Sequence, residues 1–248
     1  MSMNFGSFAN TKPASTVSYL KPYEIHENVT IKSSKVNEGT TKDGKPWKSL
    51  NITFGNDKGI YNHSIFYITS EKDFERGSHD MANGGKRQTP SKWESTRDTM
   101  ASIGFAYFKE QFEKLQKAAA KAKSFDEIAI LFKKMVDASV DKNPTNMKLV
   151  GRNSDGRVYA ALPKCTGIAQ ANSQEVADRN NCEVGEWYTW LVSPFGEDLS
   201  FSNYELGEAE KYKNAKPTQM NDTKKDDPFV EETKEDEEDD LDTMLAGL

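Results

Sequence analysis

A mainly β chain with inserted helices is the architecture that the sequence predicts, and three observations predict it. Short runs of alternating apolar and polar residues occupy both ends of the body of the chain. Two stretches with helical periodicity lie between them, and an acidic, apolar-poor segment follows. The 248 residues suffice for a buried core. With 35% hydrophobic residues, a mean hydropathy of −0.79 and no apolar run near the roughly 18–20 residues of a membrane span, no transmembrane segment is expected.

Residues 1–22 read as a flexible N-terminal arm, rich in Asn, Ser and Thr, with Lys12 the one charge among the first twenty. A secretory signal pairs a basic stretch with an apolar one, which this arm lacks. The expected compartment is therefore the cytoplasm, that of a host if the chain is phage-encoded. From 23 to 68 the pattern is a three-stranded meander. Ile25-His-Glu-Asn-Val-Thr-Ile31 and Leu50-Asn-Ile-Thr-Phe54 alternate as half-buried strands do. Asp43-Gly44 separates the first two strands, and Asn56-Asp-Lys-Gly59 separates the second from the third, 60–68. Residues 75–90, rich in Gly, Asn, Ser and basic residues, read as an exposed loop.

Helices occupy 91–139. Ser91-x-x-Glu94 is a capping box placed after Pro90, and Phe105, Phe108, Phe112, Leu115 and Ala119 recur at spacings of three and four. Ser124-x-x-Glu127 is a second capping box, followed by Phe125, Ile128, Phe132 and Met135 in the same rhythm. Strands return at 147–152 and 157–162, joined by Asn153-Ser-Asp-Gly156, and a further hairpin is expected from 187–192 and 199–204 around Ser193-Pro-Phe-Gly196. Residues 164–185 give no clear signal. Three strands, a helical segment and two more strands is the order of the five-stranded oligonucleotide/oligosaccharide-binding barrel, the OB-fold, whose helix lies between strands three and four. This assigns 23–212 to the barrel domain and 213–248 to a disordered acidic tail.

The formal charge of −6 argues against a nucleic-acid ligand until it is divided. Residues 222–248 hold twelve acids against three bases, a net of −9, so the preceding 221 residues carry +3. Cys165 and Cys182 are expected to be reduced thiols, and the Asn-x-Ser/Thr sequons at Asn28, Asn51, Asn62 and Asn221 to go unmodified in a cytoplasmic chain.

Catalytic patterns are missing from the sequence. His26, His63 and His79 are the three histidines, with no HExxH, no His/Cys cluster, no CxxC, no GxxxxGK[ST], no GxGxxG and no GxSxG. No enzyme, cofactor or metal site is expected. The strands offer a surface instead. With Leu50, Ile52 and Phe54 facing a core, Trp47, Ser49, Asn51 and Thr53 face outward. With Val158, Ala160 and Leu162 inward, Arg157 and Tyr159 face outward. Tyr61 and Tyr67 share a phase with His63, and with Ile65, which leaves the third strand's inward side open. Lys45, Lys48, Lys148, Arg152 and Lys164 lie among these strands, and Lys86, Arg87 and Lys92 in or beside the Gly-rich loop. Unpaired nucleic acid calls for this mixture, basic side chains for phosphates and ring faces for bases. The candidate contacts are Trp47, Tyr61, Tyr67, Tyr159, Lys45, Lys48, Lys86, Arg87, Lys148, Arg152 and Arg157.

The acidic run ends in Leu241-Asp-Thr-Met-Leu-Ala-Gly-Leu248. Leu241, Met244, Leu245 and Leu248 stand at i, i+3, i+4 and i+7, one face of a helix too short to persist alone in water, which points to folding on a partner's groove.

Taken together, Lys42-Asp-Gly-Lys-Pro-Trp-Lys-Ser-Leu-Asn-Ile-Thr-Phe54, the helical insertion and the acidic tail with its apolar end resemble the single-stranded DNA-binding proteins of tailed bacteriophages and, more distantly, of bacteria. The resemblance implies coating and protection of single strands in phage DNA replication, recombination and repair. It also implies a tail that recruits replication and recombination proteins and competes with DNA for the basic groove, in a chain that can form homo-oligomers. The terminus departs from the family, whose bacterial tails end in Pro-Phe, and the zinc ligands of some phage members are absent. Two other classes stay open: an acidic interaction adaptor or virion accessory protein without DNA binding, and a nuclease-associated enzyme.

Overall fold

One long strand organises the sheet. β1 (Glu24–Thr40) pairs antiparallel through its first half with β6 (Thr145–Ser154) and through its second half with β2 (Pro46–Asn56). Register shifts between His26 and Val29 and between Ile31 and Ser33 let it change direction from one partner to the other. Asn28 accommodates the first shift with φ 54°, a left-handed conformation that Asn tolerates. β3 (Gly59–Phe66) adds to β2 and β7 (Arg157–Ala161) to β6, giving the antiparallel order β3-β2-β1-β6-β7. The computed structural model describes residues 17–80, 86–109, 111–154 and 157–214.

The five strands appear in the predicted order, but the sheet is not closed into a barrel. Two features of the outer strands account for this. At Ile60 the β3 backbone is already occupied: Leu20 N–H donates to Ile60 O (2.9 Å) and Ile60 N–H to Ser18 O (2.8 Å). Residues 18–20 of the expected flexible arm thus lie along β3, with Leu20 buried. β7, only five residues long, ends before it can reach the rest of that edge. A side chain spans the gap instead. Tyr61 Oη accepts the Leu162 N–H (3.0 Å) and lies 3.1 Å from His63 Nδ1.

The core is aromatic at its centre. Phe54 is in ring contact with Tyr61, Tyr107 and Phe195, at centroid distances of 6.3, 5.7 and 5.9 Å. The Ser91/Glu94 capping box forms as expected at the head of α1 (Lys92–Tyr107). The predicted first helix is broken, however, and continues as α2 (Gln111–Ala119) after Lys109 at φ 51°. Phe108, Phe112 and Leu115 are buried as the stripe requires, while Phe105 before the break is exposed. α3 (Phe125–Ala138) packs against the core side of β1 and β2.

Three other segments differ from expectation. The Gly-rich loop contains a hairpin of β4 (Gly77–Asp80) and β5 (Lys86–Thr89). Residues 164–185 form β8 (Thr166–Gln170) and α4 (Gln174–Asn180), and β9 (Trp187–Leu191) pairs with β8 rather than with 199–204. The turn after β9 instead inserts Phe195 into the core beside Met147. Residues from 203 form α5 (Asn203–Asn214). The helix takes in the first two residues of the expected tail, 213 and 214, and the rest, with Leu241, Met244, Leu245 and Leu248, lies outside the described residues.

Burial pushes the His63 imidazole down to about 4, because its charged form would be withdrawn from water. With the folded value below the unfolded one, the stabilising contribution is complete above about pH 6.5 and is lost as pH falls from there towards 4. Protonation would also remove the acceptor for the Tyr61 hydroxyl. Thermal melts between pH 7 and 5, above the ordinary carboxylate range, should show stability falling in the parent chain and a flatter profile in His63→Gln.

A candidate nucleic-acid interface

The side of the β1–β2–β3 meander turned away from the core carries Ser33, Lys35, Asn37 and Gly39 from β1, Trp47, Ser49, Asn51 and Thr53 from β2, and Asn62, Ser64 and Phe66 from β3, of which Ser49 is buried. None of the eleven is acidic, in a chain with 39 Asp and Glu. Hydroxyl–amide pairs fix the middle of the face. Thr53 Oγ1 donates to Asn62 Oδ1 (2.8 Å) and Ser64 Oγ to Asn51 Oδ1 (2.5 Å), which leaves both side-chain amide groups able to donate elsewhere.

Trp47 lies at one end of this face, opposite Gly39. A Cβ on Gly39 would stand 2.9 Å from the indole, so only glycine lets the ring lie against the β1 backbone. Phe66, 51% exposed, approaches the indole edge-on at 6.3 Å. An open cleft of about 630 Å³ adjoins the pair, lined by Trp47, Gly39, Lys45, Lys48 and Thr69 and by one acid, the exposed Glu38. Lys35 and Lys45 are exposed. Lys48 is turned toward the helices, 3.5 Å from the Asp126 carboxylate and 5.0 Å above the Tyr67 ring. A ring with a glycine behind it, a second ring at its edge and unshielded ammonium groups beside it can stack a planar base and hold a phosphate.

The sequence-derived residues divide into four groups. Lys45, Trp47 and Lys48 meet at the cleft. Arg152, Arg157 and Tyr159 form a second exposed group on β6 and β7, with Tyr159 directly across from Arg152 and 51% exposed. Lys86 and Arg87 lie on β5, and their side chains are outside the described structure.

Tyr61, Tyr67 and Lys148 are corrections. Tyr61 is 7% exposed, and burial pushes its hydroxyl up to about 12. Tyr67 is 4% exposed, edge-on to Phe125. Neither offers a face to a base, because the phase they share with Ile65 is the core phase. Phe66 and Ser64, on the opposite phase, are the outward side chains of β3, which alternation did not single out. The burial of Ile65 decides between the phases, and alternation alone did not supply it. Lys148 is buried, with Nζ 2.9 Å from Ser200 O, 3.1 Å from Glu205 Oε2 and 5.5 Å from the Phe201 ring centroid. Burial pushes the Glu205 carboxyl up, but the Ser202 N–H, the Lys148 ammonium and the Ser202 hydroxyl outweigh it and hold the group below its ordinary value. Lys148 therefore anchors the start of α5 to the sheet.

Lys148→Ala leaves the half-buried Glu205 without its cation, and removing one partner of such a charge-assisted pair costs about 1–3 kcal/mol. Denaturant unfolding should show a loss of that order, together with faster proteolysis around residues 200–214. Among the described residues, no cluster of three or more His, Cys, Asp or Glu is placed to hold a metal ion, and no helix is long and apolar enough to cross a membrane. No protein-family model matches the chain, and no curated protein or solved structure matches it.

Proposed function

We propose that the chain is a single-stranded DNA-binding protein whose body holds unpaired strands on the outer face of β1, β2 and β3. The carrying observation is that face: free of acids, furnished with amide and hydroxyl groups, and ending in Trp47 laid over Gly39 beside Phe66. Bases stack on the rings for about 1–3 kcal/mol each with little dependence on sequence. Lys35, Lys45 and the Arg152/Arg157 pair attract phosphates. The strand order supports the same reading, since β3-β2-β1-β6-β7 is that of an OB-fold, here an open one, and strands two and three form the ligand face of that fold.

Coating withdraws bases from pairing and shields the backbone, the activity that replication, recombination and repair require of such a protein. The net −9 of residues 222–248 opposes the body's charge, so the tail competes with phosphates for the same cations and is released when a strand binds. Leu241, Met244, Leu245 and Leu248 then become available to replication and recombination proteins. The compartment is the cytoplasm.

Gel shifts with oligo-dT and with duplex of equal length, each at two salt concentrations, test this reading. Preference for the single strand and steep weakening with salt are expected. Trp47→Ala and Phe66→Ala should each weaken binding about tenfold, with Trp47→Phe intermediate. Equal affinity for duplex, or no binding, overturns the reading in favour of an interaction adaptor, and hydrolysis of the probe with added magnesium overturns it in favour of a nuclease.

A further inference from the structure

We propose that the β8–β9 hairpin carries a second stacking platform for unpaired bases, centred on Trp190 with Tyr188, so that one bound strand engages two separated aromatic sites. The inference rests on the single-stranded reading above and extends it to residues outside the five-stranded sheet. Gly167 stands opposite Trp190 and Ala169 opposite Tyr188, so the two rings share a face with the two smallest residues of β8. A Cβ on Gly167 would overlap the indole. One face of Trp190 is thus laid against backbone, while the residue remains 44% exposed. The Tyr188 ring lies 5.6 Å away at 35°.

This repeats the construction at Trp47, where the indole also lies over a cross-strand glycine with a second aromatic beside it. Glycine weakens a strand and is placed where something must approach closely. Here the approaching group is the protein's own indole, which is thereby fixed in one orientation with its outer face open. A ring held in this way loses little freedom when a base stacks on it.

The hairpin is rooted on α1, where Thr166 Oγ1 donates to the Asp98 carboxylate. β8 begins just beyond β7, the strand that carries Arg157 and Tyr159 across from Ser154 and Arg152. The chain returns from β9 to β6, where Lys148 N–H donates to Pro194 O (2.8 Å). Exposed Lys164 lies at the Trp190 end, whereas Glu183 and Glu186 precede the opposite end of β9.

Affinity as a function of oligo-dT length tests the second platform with the full chain. A short oligomer of about 8 nucleotides occupies one site and one of about 30 spans both, given the roughly 4–16 nucleotides that one OB-fold covers. Trp190→Ala should leave the short oligomer unaffected and weaken the long one about tenfold, and Trp190→Phe should recover most of the loss. Gly167→Val, which displaces the indole without removing it, should reproduce the Trp190→Ala result. Equal weakening at both lengths, or no effect at either, overturns the second platform while the single-stranded reading stands. Failure of the unsubstituted chain to bind either oligomer overturns that reading and this inference with it.

Discussion

The backbone of β1 is the element on which the rest of the structure depends. Its 17 residues supply the hydrogen-bonding partners of two different strands, and the irregularities at residues 26–29 and 31–33 allow the handover. A regular strand of that length would hold β2 and β6 in one flat sheet. The bent strand lets both halves turn Ile31, Phe54, Met147 and Leu149 toward one core, and in doing so it fixes the opposite, polar face. The candidate interface is therefore the other side of the packing solution.

Burial, more than residue type, decides which side chains can serve a ligand. Tyr61 and Tyr159 are the same residue on strands of one sheet. The first sits against Phe54 and uses its hydroxyl to bridge β3 and the end of β7, while the second stands in solvent across from Arg152. Lys148 and Lys45 differ in the same way. The desolvated ammonium of Lys148 is held by Glu205 and the Ser200 carbonyl, whereas the exposed one at Lys45 is available to a phosphate. Two tryptophan rings, Trp47 and Trp190, lie against cross-strand glycines, Gly39 and Gly167.

Much of this was legible in the sequence because it is local. The alternation of Leu50, Ile52 and Phe54, the Asp43-Gly44 turn and the Ser91-x-x-Glu94 box each specify their element without distant partners. The Ser124 helix likewise forms where its cap places it, with Ser124 Oγ accepting from Glu127 N–H. The failures are non-local. The phase of β3 depends on which face α1 and α3 cover. Closure of the sheet depends on residues 18–20 occupying Ile60. The 164–185 segment is polar because its small hairpin packs one side only, so its apolar rhythm is too short to register, and the Trp187 strand had its partner on the wrong side for that reason.

Photo-cross-linking to a bromodeoxyuridine oligomer, with the attached residues read by mass spectrometry, tests the central assignment most directly. Binding on the outer face of β2 and β3 gives adducts at Trp47 or Phe66, lost when unlabelled oligo-dT competes. Adducts confined to the α1–α3 surface, or adducts that duplex DNA displaces as well as oligo-dT does, would contradict it.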